Sequence, residues 1–208
     1  MRGVMAPLLA GLLTTGCSVF GIRTTPEPAF TVERTIGDVE IRDYGPRLAA
    51  DTVVMGDVYQ ARNEGFQRLA GYIFGGNSGK KTIEMTAPVA QSPGRTIEMT
   101  APVAQTPAEP GGWRIRFFMP AGETLQTLPT PNDKSVSLVT VPAERVAVLR
   151  YSGVASARTV RDQQARLTRT LAQAGVPTEG EPFSWFYDPP WTLPPLRRNE
   201  AVVRLADR

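Results

Sequence analysis

Apolar side chains alternate with mostly polar ones along residues 82–91, with Ile83, Met85, Ala87 and Val89 on one side and Thr82, Glu84, Thr86 and Pro88 on the other. A period of two is that of a strand with one buried face. The same ten residues, TIEMTAPVAQ, recur at positions 96–105. Folded into a hairpin about Gly94, an odd-numbered loop pairs Met85 with Val103 and Val89 with Met99, which keeps both apolar sets on one side, whereas an even loop mixes them. Pro88 and Pro102 cannot donate to a ladder, so neither strand is hydrogen-bonded along both edges throughout. The competing reading makes one copy structural and the other a duplication tolerated in a surface loop, because long loop insertions cost little.

The same period marks Phe30 and Val32 and, past a Gly37-Asp38 turn, Val39, Ile41 and Tyr44, predicting two antiparallel strands. Residues 47–55 predict a third. The spacing then becomes helical: Asp57 is the candidate N-cap, Val58, Phe66, Leu69, Ala70 and Ile73 recur on one face, and Gly75-Gly76-Asn77 ends the run. Gly65 in its middle costs about 1 kcal/mol relative to alanine, which marks a close approach by packing or by a ligand. Strands follow at 113–119, 136–141 and 145–151. A second amphipathic helix lies between 156 and 174, built on Val160, Leu167, Leu171 and Ala174 with Arg161, Arg166 and Arg169 outside. The tail holds residues 183–187, a proline-stiffened stretch at 188–195 and a last strand at 200–205. Strands, helix, strands, helix and strands give an α+β domain with a mainly antiparallel sheet, closure into a barrel being one arrangement, and the similar order of the two halves suggests an internal pseudo-twofold.

With 208 residues and a hydrophobic fraction of 41%, the chain holds one domain with a real core. A dispersed net charge of +3 argues against a nucleic-acid partner and modestly favours an anionic ligand or membrane surface. Arg2 followed by the apolar run 4–13 is far shorter than the roughly 20 residues that span a bilayer, and reads as a signal-peptide core. It ends at Gly16-Cys17, which resembles a bacterial lipoprotein signal with Cys17 as the lipidated residue, although Thr14 stands where such signals usually carry leucine. Ordinary cleavage nearby and an uncleaved anchor are the alternatives. The expected organisation is a lipoprotein-type signal over 1–17, a tether over 18–28 and a folded domain over 29–208. Cys17 is the only cysteine, so no internal disulfide forms. The chain has no histidine, which removes Ser/His/Asp and Cys/His catalytic sets and leaves no histidine ligand for a metal.

Six segments in order carry a resemblance: VEIRDY (39–44), NEGFQRLAGYIFGGN (63–77), IEMTAPV (83–89, repeated at 97–103), FFMP (117–120), VAVLRYSG (146–153) and YDPPWTLPPLRRNE (187–200). Together they resemble the SOUL haem-binding proteins over most of the chain. The resemblance implies a distorted antiparallel β-barrel with two helices, built from a repeated half and similar to effector-binding domains. It also implies haem or another tetrapyrrole held non-covalently in a shallow apolar groove beside the first helix, with no shared catalytic apparatus. The candidate contacts are Phe66 as platform, Tyr59 and Tyr72 as flanking aromatics, and Arg62 and Arg68 as partners of the propionates. Each has a structural alternative: Phe66 as core, and the arginines as a solvated face. Without histidine the iron has only Tyr, Met or Cys17 to turn to, so binding rests on apolar contact and arginine pairing. Trp191 and Arg197 either line the groove or belong to a stiff segment over the barrel end, and Arg197, Arg198 and Glu200 can anchor the last strand.

The expected function is a carrier of a tetrapyrrole or other hydrophobic small molecule, tied to the cell envelope by its N-terminal lipid with the domain in the periplasm. Ser18 after Cys17 favours the outer membrane. Two alternatives stand beside it. One is a small-molecule hydrolase in which Glu84, Glu98 or Tyr187 acts as general base or acid; the other is an envelope module whose groove receives a partner's apolar segment.

Overall fold

The computed structural model describes residues 25–93 and 112–206. Cys17, the second TIEMTAPVAQ copy with Glu98, and most of the expected tether lie outside the described residues. The strands are β1 (Phe30–Ile36), β2 (Val39–Tyr44), β3 (Arg47–Met55), β4 (Val89–Pro93), β5 (Gly112–Phe118), β6 (Val136–Val141), β7 (Glu144–Tyr151), β8 (Thr178–Phe186) and β9 (Asn199–Leu205). Helix α1 (Val58–Ile73) follows β3, and α2 (Ala157–Gln173) follows β7. Each begins where a short polar side chain takes up free amide hydrogens: Asp57 accepts from Tyr59 N and Gln60 N, and Ser156 accepts from Thr159 N.

All nine strands form one antiparallel sheet in the order β1-β2-β7-β9-β8-β4-β5-β3-β6. Exchanging β2 with β6, β3 with β7, β4 with β8 and β5 with β9 turns the order from β2 to β6 onto itself, and α1 then falls on α2. The pseudo-twofold expected from the element order therefore passes between the central strands β4 and β8, and β1 is an addition at one edge.

Strands lie about 4.8 Å apart, so in a flat sheet β2 and β6 would be separated by roughly 30 Å. Yet Tyr44 of β2 and Val141 of β6 share one buried cluster with Ala90, Phe118, Val148, Phe183 and Trp185. The sheet is thus curled around an aromatic interior. No ladder joins β1 to β6 among the described residues, and the two halves of the curled sheet meet there through side chains. Outside, α2 covers β7 and β9 with Leu167 and Leu171 against Ala147, Leu149 and Val203, and α1 covers β3 and β5 with Leu69, Tyr72 and Ile73 against Ala50, Ile115 and Phe117.

Gly65 explains itself here. A Cβ at that position would lie 2.3 Å from Ile115 Cγ1, so the glycine is what lets α1 settle on β5.

The alternation over 82–91 proves to be only partly a strand. Residues 83–88 run outside the ladders, and only β4 belongs to the sheet, paired with β5 on one side and β8 on the other. The preceding stretch is nonetheless buried at Ile83, Thr86 and Ala87. Its polar groups find partners elsewhere: Ile83 N donates to Ile73 O at 2.8 Å, Ala87 N to Pro26 O at 2.9 Å, and the Thr86 hydroxyl to Phe118 O. Extended backbone with one side buried has period two whether or not a neighbouring strand is present. Strand β8 also begins earlier than the 183–187 segment suggested, at Thr178, with an irregular register between Glu179 and Phe183.

Candidate functional site

Successive residues of an α-helix are about 100° apart, which places Tyr59, Arg62 and Phe66 within a flank of α1 roughly 60° wide. The buried stripe of Ala61, Gly65, Leu69 and Tyr72 lies beside it. Tyr59 and Phe66 keep 43% and 40% of their surface exposed, a large amount for aromatic side chains on a packed helix. Phe66 meets Phe117 edge-on at 5.3 Å, so its lower rim is fixed and one side remains open. The Arg62 guanidinium stacks between the rings of Tyr59 at 4.6 Å and Phe186 at 4.4 Å, and it donates from Nη2 to Ala155 O at 3.3 Å. Burial pushes its pKa down from the ordinary arginine value, against the pull of Tyr59 and Tyr151.

A second set of exposed apolar side chains comes from the proline-rich connection between β8 and β9. Arg197 donates to Thr192 O at 2.7 Å and to Pro190 O, closing residues 190–197 into a compact loop. That loop is fastened to the segment after β7 by Gly153 N to Pro194 O at 2.9 Å, and Asn199 Nδ2 donates to Gly153 O at 3.1 Å. Arg62 holds the same segment at Ala155. Between these attachments stand the exposed apolar side chains of Val154, Leu193, Leu196 and Trp191, the last 64% exposed. The exposed flank of α1 and these apolar side chains are thus joined through the 153–155 segment, which Arg62 holds from one side and Pro194 from the other.

The structure brings together three of the five candidate contacts and separates the other two. Tyr59, Arg62 and Phe66 share one flank of α1. Arg68 stands across the buried stripe, where Nη1 reaches Thr52 Oγ1 and Val53 O of β3, both at 3.4 Å, and Nη2 pairs with Glu64. Tyr72 is in the core, 1% exposed, and its hydroxyl donates to Pro129 O at 2.9 Å; burial pushes its pKa up to about 12. Sequence reading missed Phe186, Val154 and Ala155, which enter from other elements and follow no local pattern.

The groups named for acid–base chemistry are placed otherwise. Glu84 is exposed at the rim of an open cavity of about 310 Å³ between residues 81–84 and 120–129, at the far end of α1. Tyr187 donates its hydroxyl to Glu200 Oε2 at 2.6 Å, and burial together with that carboxylate raises its pKa far above the usual range, which keeps it protonated. Glu200 itself is fully buried and also receives Arg42 and Arg198, whose Nη2 lies 2.8 Å from Oε1. Arg198 stacks on Tyr187 at 3.8 Å and pairs with Glu27, so it fixes both the start of β9 and the chain before β1. The anchoring expected of Arg198 and Glu200 is therefore present, whereas Arg197 serves the loop.

A second charged network occupies the other half of the concave face. Arg116 grips Asp51 through Nε and Nη2, both at 2.6 Å, Arg114 approaches the same carboxylate at 3.7 Å, and Glu144 pairs with Arg47 and Arg204. Its sequence signal was the Arg114/Arg116 alternation with Ile115/Phe117. That pattern reads as a solvated face until the sheet is seen to curl.

Residues 25–204 match the sequence profile of the family described as SOUL heme-binding protein. No curated protein matches the sequence. Among solved structures, the C-terminal domain of EcmrR is similar with a TM-score of 0.58 at 10% identity, covering 82% of this chain and 98% of that one. An uncharacterized conserved protein from Listeria innocua gives a TM-score of 0.53 at 12% identity over 81% of this chain and 91% of that one. A hydrolase encoded by lin2189 from the same organism gives 0.53 at 10% identity, over 81% and 92%. At these identities the likeness establishes the fold alone.

Proposed function

The chain belongs to the SOUL heme-binding protein family, and from that premise we propose that it carries a tetrapyrrole between the exposed flank of α1 and the 190–197 loop. The observation that carries the proposal is the aromatic flank of Tyr59 and Phe66, left open to solvent with Arg62 held between Tyr59 and Phe186. Such a flank suits one face of a flat apolar macrocycle, and a cation within it suits an anionic substituent. A tetrapyrrole would supply that macrocycle and those carboxylates. Phe66 bears on the ring, Tyr59 borders it, Arg62 neutralises the carboxylate, and Trp191 with Leu193 excludes water from the opposite side. The chain has no histidine, so the grip falls on the macrocycle rather than on a histidine–iron bond. Hydrolysis lacks comparable support, because the Tyr187 hydroxyl stays protonated and is taken up in a hydrogen bond to Glu200, and Glu84 is exposed.

The test is an absorbance titration of residues 18–208 with hemin and, in parallel, with metal-free protoporphyrin. Saturable binding of both, weakened by Phe66→Ala and by Arg62→Ala, is the expected result. Saturation by neither porphyrin defeats the proposal, and saturation by hemin alone transfers the grip to an iron ligand.

The leader ending at Cys17 supports a carrier tethered by lipid to the envelope, on the periplasmic side of the outer membrane. Incorporation of labelled palmitate that disappears in Cys17→Ser is the expected result; label retained in that variant would remove the anchor from the proposal.

A further inference from the structure

Strand β5 faces two ways. Ile115 and Phe117 point at α1, whereas Arg114 and Arg116 line a small cavity on the concave face together with Ser92, Glu144, Trp185 and Arg204. We propose that this cavity is a second binding site, separate from the α1 flank, for a small oxyanion: a carboxylate or a phosphate.

The first support is a charge imbalance. Four guanidiniums, those of Arg47, Arg114, Arg116 and Arg204, surround two carboxylates, those of Asp51 and Glu144. Both Asp51 oxygens are held by Arg116, and Glu144 is shared by Arg47 and Arg204. Arg114 is left with the 3.7 Å approach to Asp51 and makes no side-chain hydrogen bond among the described residues, although its side chain is only 14% exposed. Burial pushes its pKa below the ordinary arginine value, and the charges of Arg116 and Arg204 add to that, against Asp51. A cation so placed gains a strong charge-assisted partner from any oxyanion that reaches it.

The second support is independent of charge. Trp185 lines the cavity, is 1% exposed, and its indole N–H has no acceptor among the described residues. Buried donors are nearly always paired, and an unpaired one beside a cavity is a place for an acceptor. The cavity proper measures about 20 Å³, room for one oxygen-sized group. Its mouth lies at Arg204, whose side chain is 47% exposed, so the rest of the anion stays at the surface. Ser92 adds a hydroxyl, and Phe118 and Phe183 form the apolar walls.

The experiment follows the indole proton–nitrogen resonance of Trp185 in the full chain, in non-ionic detergent, assigned by elimination with Trp113→Phe and Trp191→Phe. Inorganic phosphate and acetate are titrated separately, with chloride at equal ionic strength as reference. A saturable shift with phosphate, acetate or both, and none with chloride, is expected; the anion that saturates identifies the group recognised. Arg114→Gln is expected to weaken that binding roughly tenfold, the loss of one charge-assisted contact, while leaving porphyrin binding unchanged. If that variant does not fold, Arg204→Gln at the exposed mouth makes the same comparison. The proposal is overturned if neither anion saturates, or if the folded variant binds as tightly as the parent.

Discussion

Arg42 of β2 and Glu200 of β9 meet across the intervening strand β7 as a two-point ion pair, Nη1 to Oε2 at 3.1 Å and Nη2 to Oε1 at 3.2 Å. Glu200 is fully buried and Arg42 is 3% exposed, so the pair joins strands that share no ladder, inside the curl of the sheet. Tyr187 and Arg198 complete the carboxylate's hydrogen bonds. A buried ion pair need not add net stability, but removing one partner is costly because the other remains charged and dry.

Glu200→Ala therefore leaves Arg42 without its counter-ion and Tyr187 without its acceptor. The expected loss is about 3–5 kcal/mol in urea unfolding, with Glu200→Gln losing less because its shape and one acceptor remain. A loss below about 1 kcal/mol for the alanine variant would mean that water reaches the site and the network is not a buried one.

Gly65→Ala sets two opposing effects against each other. Alanine is the better helix former by about 1 kcal/mol, yet its methyl group would stand 2.3 Å from Ile115 Cγ1 and 2.7 Å from Ile115 Cβ. Overlap of that depth forces α1 away from β5, and overpacking typically costs about 1–3 kcal/mol, so net destabilisation is expected. In a double-mutant cycle with Ile115→Ala, the alanine at 65 should become less harmful, which identifies the contact as the cause.

How much of this could be read from the chain depended on whether a pattern was local. Asp57 and Ser156 cap the helices because a cap is set by residues within one turn. Strand β3 ran from Arg47 to Met55 as its alternation indicated. The same alternation misled at residues 83–88, where extended chain is buried by a loop, a helix end and Pro26 rather than by two strands. At the first helix, the resemblance named Tyr59, Arg62 and Phe66 together with Arg68 and Tyr72 and did not separate them. Placing Arg68 on the opposite flank required knowing which stripe is buried, and Phe186 and Ala155 come from distant segments. The concave arginines were invisible for a related reason: alternation tells that two faces differ, not that both are covered.

Alkaline pH provides a test of the buried phenols. Burial pushes Tyr44 and Tyr151 up to about 12, the Tyr44 shift being opposed by Arg42 and the Tyr151 shift by Arg62. An unfolded tyrosine titrates near 10, so the unfolded chain releases these protons first. Their contribution is therefore complete below about pH 10 and is lost as pH rises through about 12. The Tyr151 hydroxyl is buried with no partner among the described residues. Tyr151→Phe is expected to be about 1 kcal/mol more stable at neutral pH and to lose less above pH 10, so the two stability curves diverge there. A variant less stable than the parent at pH 7 would show that the hydroxyl has a partner.

The repeat permits a deletion that should keep the described contacts of residues 82–93, those of Ser92 excepted. Removing residues 82–95 carries the second TIEMTAPVAQ directly behind Lys81, and it is followed by Thr106-Pro107 where the first copy is followed by Ser92-Pro93. Ile97, Thr100 and Ala101 then take the buried places of Ile83, Thr86 and Ala87, and residues 103–107 take the place of β4 between β5 and β8. The connection to β5 shrinks from residues 94–111 to residues 108–111, a length common in hairpins. Shortening a loop of this kind changes closure entropy by only about 1 kcal/mol, in the stabilising direction. The melting temperature of the deletion variant is therefore expected to equal or slightly exceed that of the parent, as is that of a variant lacking residues 96–109. If both deletions lower it by several degrees, the second copy has a structural place of its own beyond replacing the first. A loss confined to the removal of 82–95 would instead single out Ser92, which that deletion exchanges for a threonine at the concave cavity.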